Sequence, residues 1–159
     1  MLNVTLLEFF LRGIPEAFLF VLSTHVFSKV LIDKKRYLLS SMLMAICVLG
    51  IKNLPIHFGV NTILSLITLI VLNVYLNKFE VIKAIHMGII TFIIGFMCEG
   101  LNVLLIQYIL GFDMKNALQD NLLGIIYLSP SLIFLAVVVL IYYFIKRKEM
   151  RFINNGKTV

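Results

Sequence analysis

A chain of 159 residues that is 61% hydrophobic and only 14% charged lies outside the range of water-soluble domains, which carry about 45–50% apolar and about 25% charged side chains. So few polar groups cannot cover so much apolar surface, and the composition requires a bilayer as solvent. The formal charge of +6 does not indicate a nucleic-acid partner. The basic residues stand beside apolar runs, as at Lys34-Lys35-Arg36 and Lys146-Arg147-Lys148, and no soluble segment offers a basic face with stacking aromatics.

A spanning helix needs about 20 mostly apolar residues, and on that scale the chain reads as an all-α bundle of five spans. Residues 2–12 come first: apolar, too short to cross, and carrying Glu8 and Arg12 one turn apart. This stretch either extends the first helix or lies in the membrane interface, and Gly13 and Pro15 favour a bend into the interface. No basic n-region precedes it, so the first span is expected to stay in the mature protein. The spans are predicted at 13–32, 37–54 (stopped by Lys52-Asn53-Leu54-Pro55), 58–76, 81–110 and 121–145. Short polar turns join them, residues 111–120 being the longest. Residues 1–145 make one membrane domain, and 146–159 form a short basic tail.

Charge orients the bundle. If the N-terminus lies outside, Lys29, Lys34, Lys35 and Arg36, then Lys78 and Lys83, then Lys146, Arg147, Lys148, Arg151 and Lys157 fall inside. Only Arg12, Lys52 and Lys115 stay outside, so eleven of the fourteen basic residues obey the positive-inside rule. The expected topology is N-out and C-in, in the inner or plasma membrane of a bacterium.

Ionisable side chains inside a span cost about 2.5–3.5 kcal/mol each at the helix centre on insertion scales, so each needs a partner, water or a route to the interface. Glu8, Arg12 and Glu16 share one face if the helix continues through Pro15, forming an ion ladder or a charged rim for an external ligand. Glu99, with Asn102 one turn on and Gly95 and Gly100 alongside to admit a neighbouring helix, is the strongest single candidate. Asn61, Thr62, Ser129 and Ser131 fall in the same outer half, and Pro130 frees a backbone carbonyl one turn earlier. These groups either line an outward-open cavity or join helices to one another.

Cys47 and Cys98 lie inside apolar runs as small apolar residues, with no disulfide or metal spacing. His25, His57 and His86 fall at three different depths and form no metal site. No paired nucleophile and base stand at matched depth, Cys98 and His86 being three turns apart. The reading is therefore non-enzymatic, without metal or cofactor.

Four short runs carry a resemblance: Arg12-Gly-Ile-Pro15-Glu16-Ala-Phe, Asp33-Lys-Lys-Arg-Tyr37, Leu54-Pro-Ile-His-Phe-Gly59 and Cys98-Glu-Gly-Leu-Asn102. Together, over residues 5–145, they resemble the membrane-sensor regions of receptor histidine kinases of the accessory-gene-regulator type. The resemblance implies a non-catalytic multi-span bundle that binds a small extracellular peptide. The chain departs from the pattern in having no phosphoacceptor helix and no ATP-binding domain before Val159. Three classes of function stay open. One is a stand-alone sensor or regulatory module acting through a membrane-protein partner or a second copy. The others are a small substrate-binding or transport subunit, and a structural component of a larger membrane complex.

Overall fold

Asp33 sets the first helix-to-helix junction. Extended at φ −81° and ψ 111°, it accepts a hydrogen bond from the backbone N–H of Lys35 at 3.1 Å, the N-cap geometry that opens the next helix. Around this and similar junctions the computed structural model describes residues 9–28, 30, 32–54, 58–110 and 130–145, leaving out the side chains of Phe58, Ile109 and Leu110. All regular structure among the described residues is helical. A π-helical stretch, Phe9–Gly13, runs directly into α1, Ile14–Ser28. Then come α2, Lys34–Lys52, α3, Phe58–Tyr75, and α4, Val81–Leu110. The described part of a fifth helix, α5, is Pro130–Ile145.

Short connections force antiparallel neighbours. α1 packs on α2, α2 on α3, α3 on α4 and α4 back on α1, so four helices close an up-and-down ring with α1 and α3 touching across it. α5 lies outside the ring against α1 and α4, where Leu135 and Val139 join Val26 and Cys98 in one buried cluster. Its far end is fixed by the Tyr142 ring edge-on to Phe27, 5.1 Å between centroids. The ring has two distinct ends. Arg12, the close of α2 at Lys52 and the start of α3 mark one; His25, the start of α2 and the α3–α4 turn mark the other.

Small residues let the helices approach. The buried seam of α4 reads Ala84, Gly88, Thr91, Gly95, Cys98 and Asn102, at spacings of three and four. A Cβ at Gly88 would stand 3.1 Å from Ile70 Cγ1 of α3, and one at Gly95 would stand 3.3 Å from Phe20 Cε1 of α1. Such close approaches gain dispersion energy between the helices. Phe20 also meets the Phe92 ring at 4.9 Å between centroids, tilted by 42°. Gly100 does not share this role: a Cβ there would meet nothing within 4 Å, so the expected close approach at Gly100 is corrected.

The start of the first helix also departs from expectation. Gly13 and Pro15 do not bend the chain away. Residues 9–12 belong to one helical run, Phe9–Ser28. The physical reason is the π-helical turn. Pro15 has no N–H to donate and its ring crowds the preceding turn. One extra residue in that turn widens it and removes the clash. Residues 2–8 lie outside the described residues. At its other end the described part of α1 closes at Ser28, and Val30 and Ile32 are not helical, short of the expected 32.

Two helices are long and apolar enough to cross a membrane, Phe9–Ser28 and Val81–Tyr108. Two more stretches, Gly59–Tyr75 and Pro130–Ile145, are apolar but shorter.

Candidate functional site

The π-helical turn aims Arg12 inward, and Glu99 meets it from α4. Arg12 Nη2 donates to Glu99 Oε1 at 2.8 Å, a bond between residues 87 apart in sequence. Glu16, one turn along α1, brings Oε2 to 3.9 Å from Arg12 Nε. Arg12 therefore stands between two carboxylates, hydrogen-bonded to one and ion-paired with both. Burial is graded across the cluster: the side chains of Arg12, Glu16 and Glu99 are 13%, 19% and 38% exposed. Lys52, closing α2, acts on Glu99 electrostatically from the same end of the ring. A charge-assisted bond of this length is worth roughly twice a neutral one. It ties the start of the first helical run to α4.

The structure thus joins three of the residues singled out from sequence, Arg12, Glu16 and Glu99, into one cluster. Asn102 follows Glu99 by one turn and is buried on the seam of α4. Asn61 stands one turn into α3, at the Arg12 end. Its backbone carbonyl accepts from the Ser65 hydroxyl at 2.8 Å, while its buried Oδ1 has no hydrogen-bond donor among the described residues. Ser131 is buried near the start of α5. Glu8, His57 and Ser129 lie outside the described residues.

A second polar cluster was not anticipated. Toward the His25 end, Asn73 of α3 donates through Nδ2 to Thr24 Oγ1 of α1 at 3.2 Å, and the Thr24 hydroxyl donates to the Val21 carbonyl at 2.8 Å. Asn77, one turn beyond Asn73, donates through Nδ2 to Asn73 Oδ1 at 2.9 Å and faces Ser40 Oγ of α2 at 3.3 Å. Ser40 in turn donates to the Tyr37 carbonyl at 3.0 Å. Three helices are thereby laced by side chains that water does not reach.

Beside them His25 is buried, its Nδ1 2.9 Å from the Val21 carbonyl and its ring edge-on to Phe79 at 4.9 Å and Tyr37 at 6.1 Å. The Phe79 N–H folds back to the Asn73 carbonyl at 3.0 Å, closing the α3–α4 turn over a left-handed Lys78 at φ 55°. The signal that could have found this cluster is Asn73-x-x-x-Asn77, an amide pair on one face at the end of an apolar run.

Comparison with known proteins returned no matching family model, no matching curated protein and no matching solved structure. Two clusters of polar side chains distinguish the bundle. One is an ion cluster partly open to solvent, between α1 and α4. The other is a closed amide and hydroxyl network holding α1, α2 and α3.

Proposed function

We propose that the chain is a five-span plasma-membrane protein, N-out and C-in, that works as a non-catalytic sensory or regulatory module through a membrane partner. Membrane residence is supported by where the apolar side chains point. Ile82, Ile89, Ile93, Met97, Leu101 and Leu104 form an exposed stripe along α4, and only 33% of the spanning window of that helix is buried. A core helix of a soluble protein would be mostly covered. Each such side chain left in water forgoes about 1.5–3 kcal/mol, which a lipid contact restores. Orientation is supported by Lys34, Lys35, Arg36, Lys78 and Lys83, which belong to the His25 end, against Arg12 and Lys52 at the other. The positive-inside rule puts the His25 end in the cytoplasm.

The observation that carries the sensory reading is the Arg12–Glu99 bond. It joins two neighbouring helices of the ring while Glu99 keeps 38% of its side chain exposed. A charged group arriving from outside can reach it, and competing for it changes how α1 and α4 are held. The likeness of the runs around Arg12 and Glu99 to peptide-sensing membrane regions points the same way. A structural role in a larger complex is the second reading, favoured by the closed Thr24–Asn73–Asn77–Ser40 network, which has the character of interhelical glue.

Co-purification separates the two. The tagged full-length protein is isolated in mild detergent, wild type beside Glu99→Gln, and everything retained is identified by mass spectrometry. The sensory reading expects a partner protein held by both forms, with signalling altered in the mutant. Loss of the partner in Glu99→Gln assigns the bond to assembly instead, and a protein that retains no partner refutes the sensory reading.

A further inference from the structure

Among the described residues Arg12 has two carboxylate neighbours and hydrogen-bonds one of them. Its Nε and Glu16 Oε2, 3.9 Å apart, are both shut off from solvent, and neither has a hydrogen-bond partner among the described residues. A guanidinium presents five N–H donors in a rigid fork, so one bond to Glu99 leaves most of its capacity unused. A shift of about 1 Å would bring Nε and Oε2 to hydrogen-bond distance and satisfy both orphans. In the arrangement seen, Nη2 bonds Glu99 while Nε stands 3.9 Å short of Glu16. The arrangement is poised between two pairings: one across helices, Arg12 with Glu99, and one within a helix, Arg12 with Glu16.

The gradient of exposure decides what tips it. Arg12 is the most buried member and Glu99 the least. A group arriving from water therefore meets a carboxylate first, and a carboxylate accepts a cation. We propose that an external ammonium or guanidinium group binds Glu99 and hands Arg12 over to Glu16, opening the clasp between α1 and α4. This rests on the sensory reading and names its ligand class. The chemistry is shared by a free polyamine and by the amino terminus of a peptide. α1, α2 and α3 stay together through Thr24, Asn73, Asn77 and Ser40, so the movement falls on α4.

The chain carries its own reporter. Cys98 precedes Glu99, is buried on the seam of α4 and is one of only two cysteines. In Cys47→Ser protein, full length and in lipid nanodiscs, Cys98 is the sole thiol, and its rate of maleimide labelling reads the α1–α4 opening.

The probes are spermidine, a tripeptide with a free amino terminus, its N-acetylated form, and NaCl at matched ionic strength. Labelling is expected to rise at least about fivefold, the lower end of typical coupling between sites, with spermidine, the free peptide or both. NaCl and the acetylated peptide leave it unchanged. A response to one amine alone assigns the source. Glu16→Gln abolishes the response because Arg12 loses its alternative carboxylate. Glu99→Gln raises labelling without any probe.

No response of the wild type to either amine overturns the proposal, as does a response undiminished in Glu16→Gln. These two arms decide the matter even if Glu99→Gln fails to fold. A partner that still co-purifies while the amines do nothing sinks the exchange and leaves the sensory reading standing. An exchange in a protein without partners does the reverse.

Discussion

Asn73→Ala tests whether the buried amide network holds the bundle. The substitution removes the bond from Asn73 Nδ2 to Thr24 Oγ1 at 3.2 Å and the acceptor that takes Asn77 Nδ2 at 2.9 Å. The 3.4 Å approach of the Thr24 hydroxyl to Asn73 Oδ1 adds nothing, because its single proton goes to the Val21 carbonyl at 2.8 Å. Two interhelical or interturn bonds are therefore lost. Such bonds within membranes average about 0.6 kcal/mol and reach about 1.7 kcal/mol. The truncation also leaves a small cavity beside the buried Leu69, worth about 0.5 kcal/mol. The expected loss is about 2 kcal/mol, measured by reversible unfolding in mixed micelles as SDS mole fraction rises.

The comparison is Asn61→Ala, whose Oδ1 has no donor to lose among the described residues, and which should cost less than about 0.5 kcal/mol. A cycle with Thr24→Val completes the test. The two single losses should fail to add, by about 0.6–1.7 kcal/mol. Equal losses at Asn73 and Asn61, or strict additivity with Thr24→Val, would refute the claim that these amides join helices.

Three further expectations use simple readouts. Gly88→Val should destabilise by about 1–3 kcal/mol in the same unfolding assay, since its side chain must displace Ile70 and Leu66. Gly100→Ala should be neutral or stabilise by up to about 1 kcal/mol, having open space around it. At the ion cluster, Arg12→Leu should cost more than Glu99→Gln. It leaves two like carboxylates facing one another, whereas Glu99→Gln leaves Arg12 its pairing with Glu16. Solvent reaching Glu99 holds both losses to about 1–3 kcal/mol, below those of fully buried pairs. For topology, single cysteines placed at Lys35 and Lys52 in cysteine-free protein should react with a membrane-impermeant maleimide from opposite faces of sealed vesicles. Labelling of both from one face would refute the orientation.

What could be read from the sequence followed from charge and length. Glu99 stands out because a carboxylate in an apolar run needs a partner, and its predicted depth falls in the same outer half as Glu16. Nothing in the sequence said that these two and Arg12 meet, because 87 residues separate Arg12 from Glu99 and only the closing of α4 on α1 brings them together. The straight entry into α1 was hidden for a different reason. Gly13 and Pro15 are read locally as breakers, and a π-helical turn that absorbs a proline leaves no composition signal. Asn73, Asn77, Thr24 and Ser40 were passed over because neutral side chains carry a smaller insertion cost than charges, although every one of them is buried.

Both clusters engage α1: Arg12 near its start grips α4, and Thr24 near its end grips α3. The two grips differ in kind. At the His25 end short polar side chains bond one another with no water to compete, and nothing charged takes part. At the Arg12 end the bond is ionic, one partner is open to solvent, and a spare carboxylate lies within 3.9 Å. On the proposed sensory reading, a bundle fixed at one end by neutral bonds and at the other by an exchangeable ion pair would respond to external charge at that end alone. Glu16, rather than Glu99, is therefore the residue whose loss would distinguish a responsive clasp from a static one.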